Sequence, residues 1–210
     1  MGQRSQIYVR YNGKLLFARY FQWNYGERMI SRARYGIEYI KDYLDNGYTW
    51  AFNPRTSDCR KMQRIFDVNF DMKDVALSRD IVQEYKEYGD GFEVCDYIFN
   101  QQDNNNGQLF VDIVGNQILY CFRYWDYPSP NDLILDGNEY MKHDVSPSWP
   151  GTPDHNPAYD NCYLEKDEID TCLENIKAIE SMAKLMSREQ LDDFLTNTVT
   201  EWDELKKDTN

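Results

Sequence analysis

The chain predicts an α+β fold, an antiparallel sheet of two β-hairpins covered by helices, and three observations carry that expectation. Two pairs of apolar runs are joined by two-residue turn signals, Asn12-Gly13 and Gly115-Asn116. Other segments repeat apolar residues every three or four positions, the spacing of a helix with one buried face. Finally, 210 residues with 41% hydrophobic content are enough to enclose a core.

The first hairpin spans about 6–21. Pairing Tyr11 with Lys14 across the Asn12-Gly13 turn sets Ile7, Val9, Leu16 and Ala18 on one face, taken as the core face. Tyr8, Arg10, Leu15, Phe17 and Arg19 fall on the other. A helix over about 25–45 follows, stopped at Asn46-Gly47, with Ile30, Ala33, Ile37, Ile40 and Leu44 as its apolar stripe. Roughly 200° around that helix lie Arg28, Arg32, Tyr35 and Tyr39, an expected exposed row of guanidinium and phenol groups.

Residues 48–77 resist assignment beyond the alternation of Phe66, Val68 and Phe70. Ser78 is placed to cap a helix over 79–88, ended by Gly89-Asp90-Gly91. The second hairpin, 109–124, turns at Gly115-Asn116 in the Gly-first manner of a type II′ turn. It collects Leu109, Val111, Ile113, Ile118, Tyr120 and Phe122 on one core face.

Six of the seven prolines fall within 126–163, where regular structure is not expected apart from a short edge strand at Leu133-Ile134-Leu135. Tyr140, Trp149 and Tyr159 argue that this excursion is ordered and packed. A helix from Asp167 carries Ile169, Cys172, Leu173, Ile176, Ile179 and Met182 on one stripe. Ser187-Arg188-Glu189-Gln190 has the form of a capping box opening a second helix with Leu191, Phe194, Leu195, Trp202 and Leu205. The two are expected as a helical hairpin against the sheet. The organisation is thus a core domain over 1–125, the excursion over 126–163 and C-terminal helices over 164–207, packed as one domain.

No familiar catalytic or metal-binding motif is present in the sequence. The two histidines, His143 and His155, lie near Asp144, Asp154, Asp160 and Cys162 in sequence but match no metal-ligand spacing. There is no nucleophile elbow, no phosphate loop and no dinucleotide-binding glycine pattern. Carboxylate pairs such as Asp67 and Asp71 are expected by chance in a chain with 36 acids. No catalytic residue, cofactor or metal is therefore assigned. The five cysteines contain no C-x-x-C and read as reduced thiols. The first residues lack an apolar leader run and no stretch reaches about 18 apolar residues, so a cytoplasmic protein away from the membrane is expected.

Charge is what stands out. Residues 1–66 hold twelve Lys/Arg against five Asp/Glu, and residues 67–210 eleven against thirty-one, within a net charge of −13. The basic part offers Arg28, Arg32, Tyr35 and Tyr39, with Arg10, Arg19, Arg60, Lys61 and Arg64 nearby, as a grip for phosphate or an acidic partner. The acidic part offers Asp67, Asp71, Asp74, Asp80, Glu84 and Glu87, then Glu165, Asp167, Glu168 and Asp170. Carboxylates on a rigid frame can imitate a nucleic-acid backbone toward a Lys/Arg-lined groove. The net charge disfavours direct nucleic-acid binding.

In size, acidity, tyrosine content (17 Tyr) and lack of a catalytic motif the chain resembles phage-encoded inhibitors of bacterial defence, anti-CRISPR proteins and DNA mimics among them. That resemblance is compositional and transfers no individual residue. It implies a non-catalytic inhibitor occupying the basic groove of a nucleic-acid-handling protein, such as a bacterial defence effector, in the host cytoplasm. The alternatives are an adaptor working through the basic hairpin and helix, and an enzyme with a site of scattered carboxylates and loop histidines.

Overall fold

A computed structural model describes residues 4–22, 26–47, 60–62, 65–66, 75–76, 107–124, 133–144, 149–151 and 164–199. Strands β1 (Arg4–Tyr11) and β2 (Lys14–Gln22) form the first hairpin, and β4 (Gln108–Val114) and β5 (Gln117–Tyr124) the second. Asn12 and Gly13 both take positive φ, 44° and 84°, as a type I′ turn requires, and Tyr11 faces Lys14. At the second turn Gly115 takes φ 60°, and its N–H donates to Asn12 Oδ1 at 2.9 Å, tying the two turns together.

The α+β class and both antiparallel hairpins are as expected. The sheet as a whole is mixed, because the hairpins meet through β1 and β4, which run parallel with Ile7 opposite Leu109 and Val9 opposite Val111. The described strands run β3-β2-β1-β4-β5-β6, where β3 is Val75–Ala76 and β6 Leu133–Leu135. A further strand, β7 (Lys184–Leu185), pairs in parallel with Leu119 and Tyr120 along the same side of β5 that β6 uses further on.

Both faces of this sheet are buried. One holds Ile7, Val9, Leu109, Val111, Ile113, Ile118, Tyr120 and Phe122 under α1 (Gly26–Asp45), α2 (Gly137–Asp144) and α3 (Lys166–Met182). The other holds Tyr8, Leu15, Ala18, Phe110, Leu119 and Cys121 under Met186 and α4 (Arg188–Asn197). The face expected for the second hairpin stands as read. That of the first needs correction at β2: Val9 faces Phe17 while Arg10 faces Leu15, so Leu16 is the extra residue of a β-bulge. Beyond the bulge the alternation inverts, sending Phe17 to the first core and Ala18 to the second.

The C-terminal helices are not a helical hairpin. β7 carries the chain past the sheet edge, so α3 and α4 cover opposite faces. The Ser187 box is present: the Ser187 hydroxyl accepts from Gln190 N–H at 3.3 Å and Ser187 N–H donates to Gln190 Oε1 at 2.8 Å. Within the proline-rich excursion, Gly137–Asp144 is a helix, contrary to expectation. Asp136 Oδ1 accepts from the Glu139 N–H at its start, and Tyr140, stacked on Phe122 at 4.5 Å, supplies the apolar anchor. Trp149 is buried too, its Nε1–H donating to Asn138 Oδ1 at 2.9 Å. The expected helix at 79–88 lies outside the described residues.

Candidate functional site

Of the side chains on which function is expected to rest, Arg10 lies in a charged network inside the second core, and Arg28, Arg32, Tyr35 and Tyr39 lie along α1. Glu165, Asp167, Glu168 and Asp170 lie at the start of α3, while Arg60 and Lys61 are exposed and Arg64 lies outside the described residues. The charged network is built by strand register. Gln6, Gln108 and Arg123 are neighbours across β1, β4 and β5, as are Tyr8, Phe110 and Cys121 one step along, and Arg10 and Asp112 one step further. The second face therefore carries a polar row, an apolar row and an ion pair. Gln108 Nε2 donates to Gln6 Oε1 at 2.6 Å, and Arg123 Nη1 donates to Gln108 Oε1 at 3.0 Å. Arg10 grips Asp112 through Nε at 3.0 Å and Nη2 at 2.6 Å, and both residues are buried.

α4 closes over that ion pair. Arg10 Nη2 also donates to Asp193 Oδ2 at 2.8 Å, and Nη1 to the Asp193 carbonyl at 3.1 Å and the Thr198 hydroxyl at 3.4 Å. The guanidinium lies over the Phe194 ring, 4.5 Å from its centroid. Burial by itself opposes the charge on Arg10, but hydrogen bonds and charges from Asp112 and Asp193 outweigh it and hold the group above its ordinary value. Asp193 is held below the usual carboxylate range, first by the Asn197 side chain and then by Arg10.

The Arg28, Arg32, Tyr35, Tyr39 row is not an exposed stripe. Tyr35 is 43% exposed with Arg34 over its ring at 4.8 Å, Arg28 is half-buried, and Tyr39 packs on the core beside Tyr43. Arg32 is buried, and its Nη1–H donates to the Phe66 carbonyl. The reason is that the buried arc of α1 is wider than the apolar stripe: it also takes in Gly26, Met29 and Gly36, bringing Arg32 to its edge under Phe66. Arg34 is paired with Glu38 at 2.8 Å and Lys41 with Asp45, both one turn along the helix.

Of the acids, Asp67, Asp71, Asp74, Asp80, Glu84 and Glu87 lie outside the described residues. Glu165, Asp167, Glu168 and Asp170 are all exposed at the start of α3. Two of them do capping work there, since Glu165 N–H donates to Glu168 Oε2 at 2.8 Å. Asp167 and Asp170 share the outward side of the helix with Glu174, which is also exposed. Among the described residues none of these three has an ion-pair partner.

Where α3 meets α1, Glu27 places a carboxyl between the helices with Arg28 Nε 3.8 Å away. Burial raises its pKa, Arg28 opposes this and Glu168 adds to it. A carboxyl raised in the folded state contributes stability below its unfolded pKa and loses it as pH rises through the folded one. Glu27→Gln should therefore gain on the native chain in urea unfolding as pH goes from about 4 to 7. A difference between the two chains that stays flat over this range would refute the assignment.

Cys121 and Cys172 are buried thiols, each pushed up to about 12 chiefly by burial, which leaves little thiolate at neutral pH. His143 is exposed with its ring 4.2 Å from that of Tyr124, while His155 lies outside the described residues. Among the described residues, no three His, Cys, Asp or Glu side chains are grouped to hold a metal ion, and no helix is long and apolar enough to cross a membrane. No family model, curated protein or solved structure matches the chain.

Sequence reasoning missed Asp112 and Arg123 and placed Arg10 on the surface. A usable signal was present, since Arg10 and Asp112 each interrupt a strand that is apolar at both neighbouring positions: Val9 and Tyr11, Val111 and Ile113. Unbroken apolar runs mark strands buried on both faces, and a charge inside such a run needs a buried partner.

Proposed function

We propose that this chain is a non-catalytic acidic binding protein that occupies the basic groove of a larger nucleic-acid-handling protein, in the manner of phage-encoded anti-CRISPR and DNA-mimic inhibitors, acting in the host cytoplasm. One observation carries the reading: Asp167, Asp170 and Glu174 form an exposed acidic row on α3, between the exposed Lys166 and Lys177, while two of the arginines expected at the surface are buried. Arg10 and Arg32 are buried, and Arg34 and Lys41 are paired within α1, whereas Asp167, Asp170 and Glu174 face outward from α3. Successive members of that acidic row rise about 4.5 and 6 Å along the helix axis, within twofold of the 3.4 Å rise per phosphate along one DNA strand. The adaptor alternative needs the arginine row at the surface and loses Arg32 to the core.

The test is affinity capture from a bacterial lysate, identification of the basic partner by mass spectrometry, and competition of the complex against a labelled DNA duplex. The chain should displace the duplex, and its affinity should fall at least about tenfold between roughly 50 and 200 mM salt. Reversal of Asp167, Asp170 and Glu174 together to Lys should slow association about tenfold or more. A captured partner that keeps its DNA in the presence of saturating native chain would end the proposal.

A further inference from the structure

We propose that α4, with Thr198 and Val199, is a clasp that opens as a unit from the second face of the sheet while the rest of the fold stays closed. This stands apart from the acidic-surface reading. Four observations carry it.

The clasp has a small apolar footing: of the ten residues of α4, Leu191 and Phe194 are buried. They close a compact cluster in which Phe194 meets Phe110 edge-on at 5.0 Å and Phe110 stacks on Tyr8 at 5.0 Å. α1, by contrast, buries eight residues.

The charge beneath the clasp belongs to the sheet. Arg10 and Asp112 sit on adjacent strands and hold each other by two hydrogen bonds that use no atom of α4. When α4 lifts, Arg10 gives up Asp193 and Thr198 but keeps Asp112, so opening leaves a hydrated ion pair and strands no unpaired charge. Hydration of that pair offsets part of the free energy needed to uncover the apolar cluster, because holding charges away from water is itself unfavourable.

The outer anchor is already wet. The Asp193 side chain is 52% exposed, so its bond to Arg10 is open to exchange with water and salt.

Among the described residues, the far end meets the sheet through Thr198, whose hydroxyl accepts from Arg10, and through one short bridge at Val199. Val199 N–H donates to the Gly13 carbonyl at 2.8 Å, and its carbonyl accepts from Leu15 N–H at 2.9 Å. At the near end Met186 N–H is bonded to the Tyr120 carbonyl at 2.8 Å, which places the hinge at Ser187. Opening on this hinge uncovers Tyr8, Phe110, Arg10 and Asp112 as a second surface and thins the cover of Cys121, which faces Phe110 across β4 and β5, to Met186, whose Sδ lies 3.7 Å from its Sγ. Local opening of a weakly anchored unit is a general property of folded chains.

Two thiols report the motion. Cys121 lies in the cluster that α4 closes, and Cys172 lies in the other core between α1 and α3. Burial raises both to about 12, so their labelling rates compare exposure more than intrinsic reactivity. The full chain is treated with iodoacetamide at constant pH without denaturant, and each cysteine is quantified by peptide mass spectrometry. Cys121 should label at least about tenfold faster than Cys172, and Asp193→Ala should accelerate Cys121 by about three- to tenfold while leaving Cys172 unchanged. Equal rates for the two thiols, or a response to Asp193→Ala that is absent or shared by both, would overturn the clasp.

Discussion

Arg10→Met should lower the unfolding free energy by about 3–5 kcal/mol, because it removes the bidentate partner of a carboxylate that is buried between two central strands. The deficit is more than a missing attraction. Asp112 has 3% of its side chain exposed, and without Arg10 its carboxyl is left buried without its bidentate partner or must draw water into the sheet. The Asp193 carboxylate, half in solvent, loses much less. A second substitution separates these effects. Arg10→Met with Asp112→Leu replaces the pair by apolar groups of similar volume and should recover most of the deficit, since the penalty lies in the stranded charge. Urea unfolding followed by tryptophan fluorescence and far-UV circular dichroism measures all three chains. A single variant within about 1 kcal/mol of native would show that Asp112 finds another partner.

The ion pair also marks where sequence reading stops. The turns at Asn12-Gly13 and Gly115-Asn116, the apolar stripe of α1 and the Ser187 box were all legible, because each depends on residues within a few positions of one another. The bulge at Leu16 was not, since it is a property of how β1 and β2 hydrogen-bond and leaves no mark on turn chemistry. One extra residue was enough to exchange the cores of Phe17 and Ala18. The parallel joint between β1 and β4 links residues 102 positions apart, beyond any local signal. The same holds for α4, whose short period shows which of its sides is apolar but not which face of the sheet that side meets. The charge division hides this network for a related reason. Counting charges along the chain treats each as surface, and it took the parallel joint and the path past the sheet edge to bring Arg10, Asp112 and Asp193 together.

Gly36→Ala should destabilise the fold by about 1–3 kcal/mol even though it replaces a helix-interior glycine with the best helix former. An added Cβ at Gly36 would stand 2.2 Å from both Cε1 and Cζ of Phe66 and 2.8 Å from Cδ1, distances at which the ring must move. Phe66 has little freedom to do so. It is fully buried and stacked on Phe17 at 5.4 Å, and its carbonyl accepts the Arg32 guanidinium N–H. Displacing it opens the core on one side and disturbs the Arg32 bond on the other. Steric origin can be told from a backbone effect by a double-mutant cycle. In a Phe66→Ala background the obstacle is gone, so Gly36→Ala should change sign and stabilise by up to about 1 kcal/mol, the difference in helix propensity. If Gly36→Ala stabilises the native chain as well, Phe66 does not press on α1, and the burial of Arg32 at that helix edge needs another cause.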